Sequence, residues 1–206
     1  MVLIIICITV FLNQNSQAQN NQPQIQTILI MGDSLSAEYG IKRGSGWVEL
    51  LSKRLKNGGG NIQIINASIS GETTTGGLNR LNDLLRGHQP QIVIIELGAN
   101  DGLRGLQIQI AEQNLKQMIL QSHKYGAKVL LLGMKIPPNY GHDYTQRFFS
   151  MYKKLAQTEG AELVPFFLDK VAENAQLFQA DLIHPNEKAQ SILLDNVWKE
   201  LNKLIP

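Results

Sequence analysis

After Gln24 the chain alternates between two apolar periods, short β-type runs and longer helical stripes. Ile25 to Met31 reads as a strand, and Trp47, Leu50, Leu51 and Leu55 then fall on one face of a helix. Ile62 to Ile65 predicts a second strand after the Gly58-Gly59-Gly60 break. Leu78, Leu81 and Leu85 mark a second helix, which Thr73, Thr74 or Thr75 can cap. Ile92 to Leu97 is apolar almost without interruption, as suits a strand buried on both faces.

The pattern then repeats. Ile108, Leu115, Met118, Ile119 and Ser122 form a helical stripe, followed by a strand from Lys128 to Leu132. Phe148, Met151, Tyr152 and Leu155 give the next helix, and a short strand lies near Leu163 and Val164. The last helix is expected directly after His184, with Pro185 at its first position, burying Ala189, Ile192, Leu193, Val197 and Leu201. Strand–helix alternation of this kind predicts an α/β domain: a mostly parallel sheet between two helical layers, in a three-layer α/β/α sandwich.

The N-terminus is different in kind. Val2 to Leu12 is apolar apart from Cys7 and Thr9, and a polar stretch from Asn13 to Gln22 follows. That run is short for a membrane-spanning helix and fits a secretory signal, with Ser16-Gln17-Ala18 offering small residues for cleavage after Ala18. No Lys or Arg precedes it, so the true start can lie upstream of Met1; an uncleaved membrane anchor is the competing reading. On the favoured reading residues 1–18 are the signal and residues 19–206 one exported domain, periplasmic or secreted, with no stable membrane insertion after cleavage. Cys7, the only cysteine, would leave with the signal. The net charge of +2 is nearly neutral and the basic residues are scattered, which argues against a nucleic-acid partner.

Candidate chemistry sits in the turns. Gly32-Asp33-Ser34-Leu35-Ser36, Ser68-Ile69-Ser70-Gly71-Glu72 and Gly98-Ala99-Asn100-Asp101-Gly102 each follow one of the first three strands. In a doubly wound sheet the carboxyl ends of neighbouring strands converge on one crevice. Asp181-Leu182-Ile183-His184 precedes the last helix and adds a carboxylate and an imidazole. Together these turns hold the parts needed for acyl transfer. A serine hydroxyl needs a base, which imidazole with an ordinary pKa of about 6.5 supplies. Ser34 is the candidate nucleophile, His184 the base and Asp181 the group that orients the imidazole. The Ser34 and Gly71 N–H groups and the Asn100 amide are candidate donors to an oxyanion. Gly71, lacking a Cβ, lets its N–H approach a ligand closely.

These turns, with Asp181-Leu182-Ile183-His184-Pro185, resemble the four sequence blocks of the SGNH, or GDSL-type, hydrolases. Asn66 to Thr73 and Glu96 to Gly105 are similar to the periplasmic acyl-CoA thioesterase I, lysophospholipase and arylesterase subgroup. The resemblance runs from about Ile28 to the last helix. It implies a flavodoxin-like parallel sheet, the roles just given for Ser34, Gly71, Asn100, Asp181 and His184, and no metal or organic cofactor. It also implies small-molecule substrates: short- to medium-chain acyl esters, acyl thioesters and lysophospholipids. A monomer is expected.

Plainer roles compete. A serine after Gly-Asp is often only a turn residue or helix cap. His142, beside Asp143, is the rival base, while His88 and His123 read as solvated. Asp33 and Asp101 read as carboxylates that hold their loops. Gly58 to Gly60 lacks the Lys of a phosphate-binding loop. Leu103, Leu106, Ile136, Pro137, Pro138 and Tyr140, on two loops beside the crevice, form a candidate acyl-binding lip or merely pack those loops. A carbohydrate acetylesterase and a non-catalytic lipid- or glycan-binding module are the alternative functions.

Overall fold

The strand β1, Gln26–Gly32, is buried from Thr27 onward, and its neighbour β3, Ile92–Glu96, at the centre of the sheet, is buried throughout. Strands covered on both faces must pair on both edges, and here the sheet is parallel throughout. The remaining strands are β2 (Ile62–Asn66), β4 (Lys128–Leu132) and β5 (Glu162–Val164), in the order β2-β1-β3-β4-β5. This is the flavodoxin-like order, whose direction of winding reverses between β1 and β3. The computed structural model describes residues 26–205, so the signal reading and Cys7 lie outside the described residues.

Two helical layers cover the sheet. Helices α1 (Trp47–Asn57) and α6 (Gln190–Leu201) pack together, and α2 (Thr74–His88), α4 (Ile108–Lys124) and α5 (His142–Glu159) form the other layer. The expected stripes point inward: Trp47, Leu51 and Leu55 from α1, Leu115, Met118 and Ile119 from α4, and Phe148, Met151 and Tyr152 from α5 are buried. Of the three candidate caps, Thr73 holds the N-cap of α2, its side chain accepting from Gly76 N–H. Among the described residues, no helix is long and apolar enough to cross a membrane.

Two local expectations need correction. The segment Gly98 to Gly102, read as a turn, closes into a short helix, α3 (Ala99–Leu103). The final helix does not begin at Pro185. That residue forms an antiparallel bridge with Phe178, and Asn186 N–H donates to Leu177 O at 2.8 Å, so the chain stays extended past His184. Asn186 then caps a 3₁₀ turn, Glu187–Ala189, by accepting from Lys188 N–H, and α6 starts only at Gln190.

Gly133 ties the far edge together. Its N–H donates to Val164 O and its carbonyl accepts from Phe167 N–H, both at 2.8 Å. A Cβ there would stand 2.3 Å from Pro165 O, a backbone atom that cannot swing aside. Gly133→Ala is therefore expected to destabilise the fold by about 1–3 kcal/mol. A lower urea midpoint at unchanged slope is the expected result, and an unchanged midpoint would show that the edge yields freely.

Candidate active site

The carboxyl ends of β1, β2 and β3 bring three of the expected turns together. Gly32 lies opposite Glu96 in the β1–β3 pairing, so the turn bearing Ser34 starts level with the segment that becomes α3. The loop after β2 is zipped to the same place by Ala67 N–H on Ile30 O, 2.9 Å, and Ile69 N–H on Gly32 O, 3.0 Å. Asn66 Nδ2 donates to Ser36 O at 2.8 Å and closes the junction. Gly71 ends this loop with φ +78°, a left-handed conformation that an L side chain resists.

His184 reaches this junction from the other end of the chain. Its Nε2 lies 2.9 Å from Ser34 Oγ and its Nδ1 2.7 Å from Asp181 Oδ2. The second carboxylate oxygen of Asp181 accepts from the N–H groups of Ile183 and His184, at 2.9 and 3.0 Å. Leu182 takes φ +56° to make this turn, a strain tolerated because surrounding bonds fix the segment. Gln179 is the main tie: its N–H donates to His184 O at 2.8 Å, and its side chain to Tyr39 O at 2.9 Å. The Tyr39 ring lies 4.5 Å from the imidazole, centroid to centroid. The His184 backbone N–H, its ring and the Ile183 N–H hold the Asp181 carboxyl down at about 2. Open to water and held by these donors, it stays ionised at neutral pH and offers an acceptor for a proton on His184 Nδ1.

Asn100 is held by its neighbour Asp33. Its Nδ2 donates to Asp33 Oδ2 at 3.0 Å, leaving the second amide proton for another acceptor. Asp33 Oδ1 accepts from Leu35 N–H at 3.0 Å, so one buried carboxylate ties the nucleophile turn to α3. Burial pushes the Asp33 carboxyl up to about 6, against the Leu35 N–H, the charge of His184 and the bonds from Glu96 and Asn100. Asp101, also buried, accepts from Thr74 N–H at 2.9 Å and Thr74 Oγ1 at 2.6 Å, locking α3 to the N-terminus of α2. Arg104 Nη2 donates to Gly71 O at 3.0 Å and links the Gly71 loop to the end of α3, which carries Asn100.

Other candidates fall elsewhere. His142 is exposed and meets Asp143 at 3.3 Å, whereas Ser34 has His184. His88 is exposed as expected, but His123 is not solvated. Its ring is half-buried, with the nitrogens 3.1 Å from Ala127 O and Glu159 O. The loop after α3 is pinned from two places, Tyr140 Oη in the other flanking loop donating to Leu103 O and Tyr144 Oη in α5 to Leu106 O, both at 2.7 Å. Leu106, Pro137 and Pro138 are exposed, Leu103 and Tyr140 half-buried, and Ile136 belongs to the core rather than to an open lip. A small groove against Ser34 and His184 is lined instead by Leu35, Tyr39 and Ile41, which sequence reasoning missed. Glu96 was missed too, although a carboxylate ending a strand buried on both faces is a readable signal.

The arrangement can take a proton from Ser34, hold it on His184 and receive an anion beside Asn100. Removing one such donor typically costs ~10²–10³ in kcat. Asn100→Ala is expected to lower kcat of ester hydrolysis in that range with little change in KM, and a kcat within twofold of the parent would remove Asn100 from the oxyanion site.

The sequence pattern of the GDSL-like Lipase/Acylhydrolase family matches residues 30–192. Esterase TesA of Pseudomonas aeruginosa is 48% identical over an alignment spanning 89% of this chain and 92% of that protein. Thioesterase 1/protease 1/lysophospholipase L1 of Escherichia coli K12 is 42% identical, spanning 87% and 85%. The structure of the psychrotrophic esterase EstA from Pseudoalteromonas sp., inhibited by monoethylphosphonate, matches with a TM-score of 0.83 at 42% identity, covering 86% of this chain and 97% of that one. With its fold, its blocks and its relatives in agreement over most of its length, the chain belongs to the GDSL-like lipase/acylhydrolase family.

Proposed function

We propose that this chain is a serine esterase and thioesterase, hydrolysing short- to medium-chain acyl esters, acyl thioesters and lysophospholipids through an acyl-serine intermediate. The observation that carries the reading is the continuous line Ser34 Oγ, His184 Nε2, His184 Nδ1, Asp181 Oδ2, with bonds of 2.9 and 2.7 Å. The relatives named as an esterase and as a thioesterase and lysophospholipase support the substrate class.

In this mechanism Ser34 Oγ attacks the acyl carbonyl carbon while His184 Nε2 takes the hydroxyl proton. The carbonyl oxygen becomes an oxyanion received by the Ser34 and Gly71 N–H groups and Asn100 Nδ2. Collapse breaks the bond to the alcohol or thiol, which leaves with the proton from His184. Water then repeats the sequence on the acyl-serine, giving up its proton to His184, and the carboxylic acid departs as Ser34 regains its hydrogen. Asp181 stays ionised and steadies the imidazolium formed in each half.

Leu103, Leu106, Pro137 and Tyr140 flank the crevice in this reading and accommodate the acyl chain, with Ile136 supporting them from the core. Residues 1–18 act as an export signal, and the remaining domain works outside the cytoplasm on small molecules as a monomer.

A panel of acetyl and octanoyl p-nitrophenyl esters, acyl thioesters and acetylated sugars, assayed with parent protein and Ser34→Ala, tests the proposal. Ser34→Ala is expected to lose at least roughly 10³-fold in kcat on esters and thioesters alike. A folded Ser34→Ala protein that keeps hydrolysing would overturn the mechanism, and activity confined to acetylated sugars would overturn the substrate class.

A further inference from the structure

Directly beneath the Ser34 turn lies a carboxyl group that the mechanism above leaves unused. Glu96 is fully buried at the end of β3. Its Oε2 accepts from Ser36 Oγ at 2.8 Å and Asp33 N–H at 3.2 Å, and Trp47 Nε1 donates to the same Ser36 Oγ at 3.2 Å. No donor reaches its Oε1 among the described residues. No Lys or Arg pairs with it there either, and the charged neighbour it does have is Asp33. An ionised Glu96 would therefore be a second buried anion beside Asp33 with one oxygen unsatisfied, a costly state. The uncharged acid avoids both costs. Oε2 is already taken by Ser36 Oγ and Asp33 N–H, so the proton of the neutral acid belongs on Oε1.

We propose that Glu96 is a positioning residue that works as an uncharged carboxylic acid, holding the Ser34 turn through Oε2 and, through Asp33, the amide of Asn100. The chain of contacts is Asp33 N–H to Glu96 Oε2 at 3.2 Å, then Asp33 Oδ2 from Asn100 Nδ2 and Asp33 Oδ1 from Leu35 N–H. Glu96 touches no reacting atom. It fixes where Asn100 presents its free amide proton, and so where the oxyanion is received.

The other titratable groups facing this pair are few. Tyr152 comes from α5, donating to Leu97 O at 3.0 Å, and its hydroxyl is pushed up chiefly by burial. His184 faces Asp33 from the opposite side and lowers it. Burial and the charge of Asp33 push Glu96 well above the usual carboxylate range. A raised folded-state value means that the neutral form is favoured in the fold. Stability associated with Glu96 is then present below its ordinary value of 4.5 and is lost as pH rises above it.

The inference rests on the esterase reading for its kinetic arm and stands apart from it for its stability arm. Glu96→Gln keeps an acceptor for Ser36 and Asp33 N–H, without a titration. It is expected to retain kcat within about threefold, whereas Glu96→Ala, which frees the turn, should lose roughly 10- to 100-fold in kcat at nearly unchanged KM. In thermal melts the advantage of Glu96→Gln over the parent should widen as pH rises from 5 through the range in which the buried acid ionises. A melting difference that does not change with pH would show that Glu96 is ionised in the fold and overturn the proposal, whatever the activities. Full kcat in Glu96→Ala, or equal losses in the Gln and Ala variants, would overturn the positioning role. Ser34→Ala measured alongside reports on the esterase reading alone, because it leaves the melting comparison intact.

Discussion

The pairing of β1 with β3 is the constraint on which the site depends. Both strands are buried on both faces, so a shift of register by one residue would turn apolar side chains toward the wrong layer along the whole length. The core thus sets Gly32 opposite Glu96. Everything at the carboxyl edge follows from that level: the Ser34 turn begins one residue past Gly32, and the helix carrying Asn100 begins three residues past Glu96. The Asp33–Asn100 bond then crosses the gap where the winding of the sheet reverses, the place where open α/β sheets leave room for a ligand. Burial energy spread over the whole sheet is what positions two small polar groups.

The carboxyl groups around the site are set by opposite means. Asp181 stands largely in water, and two backbone N–H groups and an imidazole hold it ionised. Asp33 and Glu96 lie inside, where desolvation dominates and pushes both upward. The exposed carboxylate faces the imidazole, which must accommodate a passing proton. The buried pair faces the backbone of the nucleophile turn and the Asn100 amide, which must not move. Solvent is thus kept where charge has to change and excluded where geometry has to hold.

Much of this was legible in the sequence because the signals are local or periodic. The apolar runs named all five strands, and the stripes of α1, α4 and α5 named their buried faces. The Ser34, Gly71, Asn100, Asp181 and His184 blocks stood out because each combines a polar side chain with a turn former after an apolar run. What was missed depends on contacts distant in sequence. Pro185 looks like the first residue of a helix until Phe178 and Leu177 claim its neighbourhood, and His123 looks solvated until the end of α5 brings Glu159 to its ring. Tyr39 carries no mark of its ring contact with His184. Ile136 reads as a loop residue because its sequence neighbours are prolines, yet it packs inward.

A crystal structure of the protein treated with a serine-directed phosphonate bears most directly on the central claim, that this edge of the sheet receives an oxyanion beside Ser34. The phosphorus should be bonded to Ser34 Oγ, with its non-bridging oxygen within about 3.1 Å of Asn100 Nδ2 and of the Gly71 and Ser34 N–H groups. A phosphonate oxygen directed to solvent, with Asn100 still turned wholly to Asp33, or an adduct on any other residue, would contradict the account.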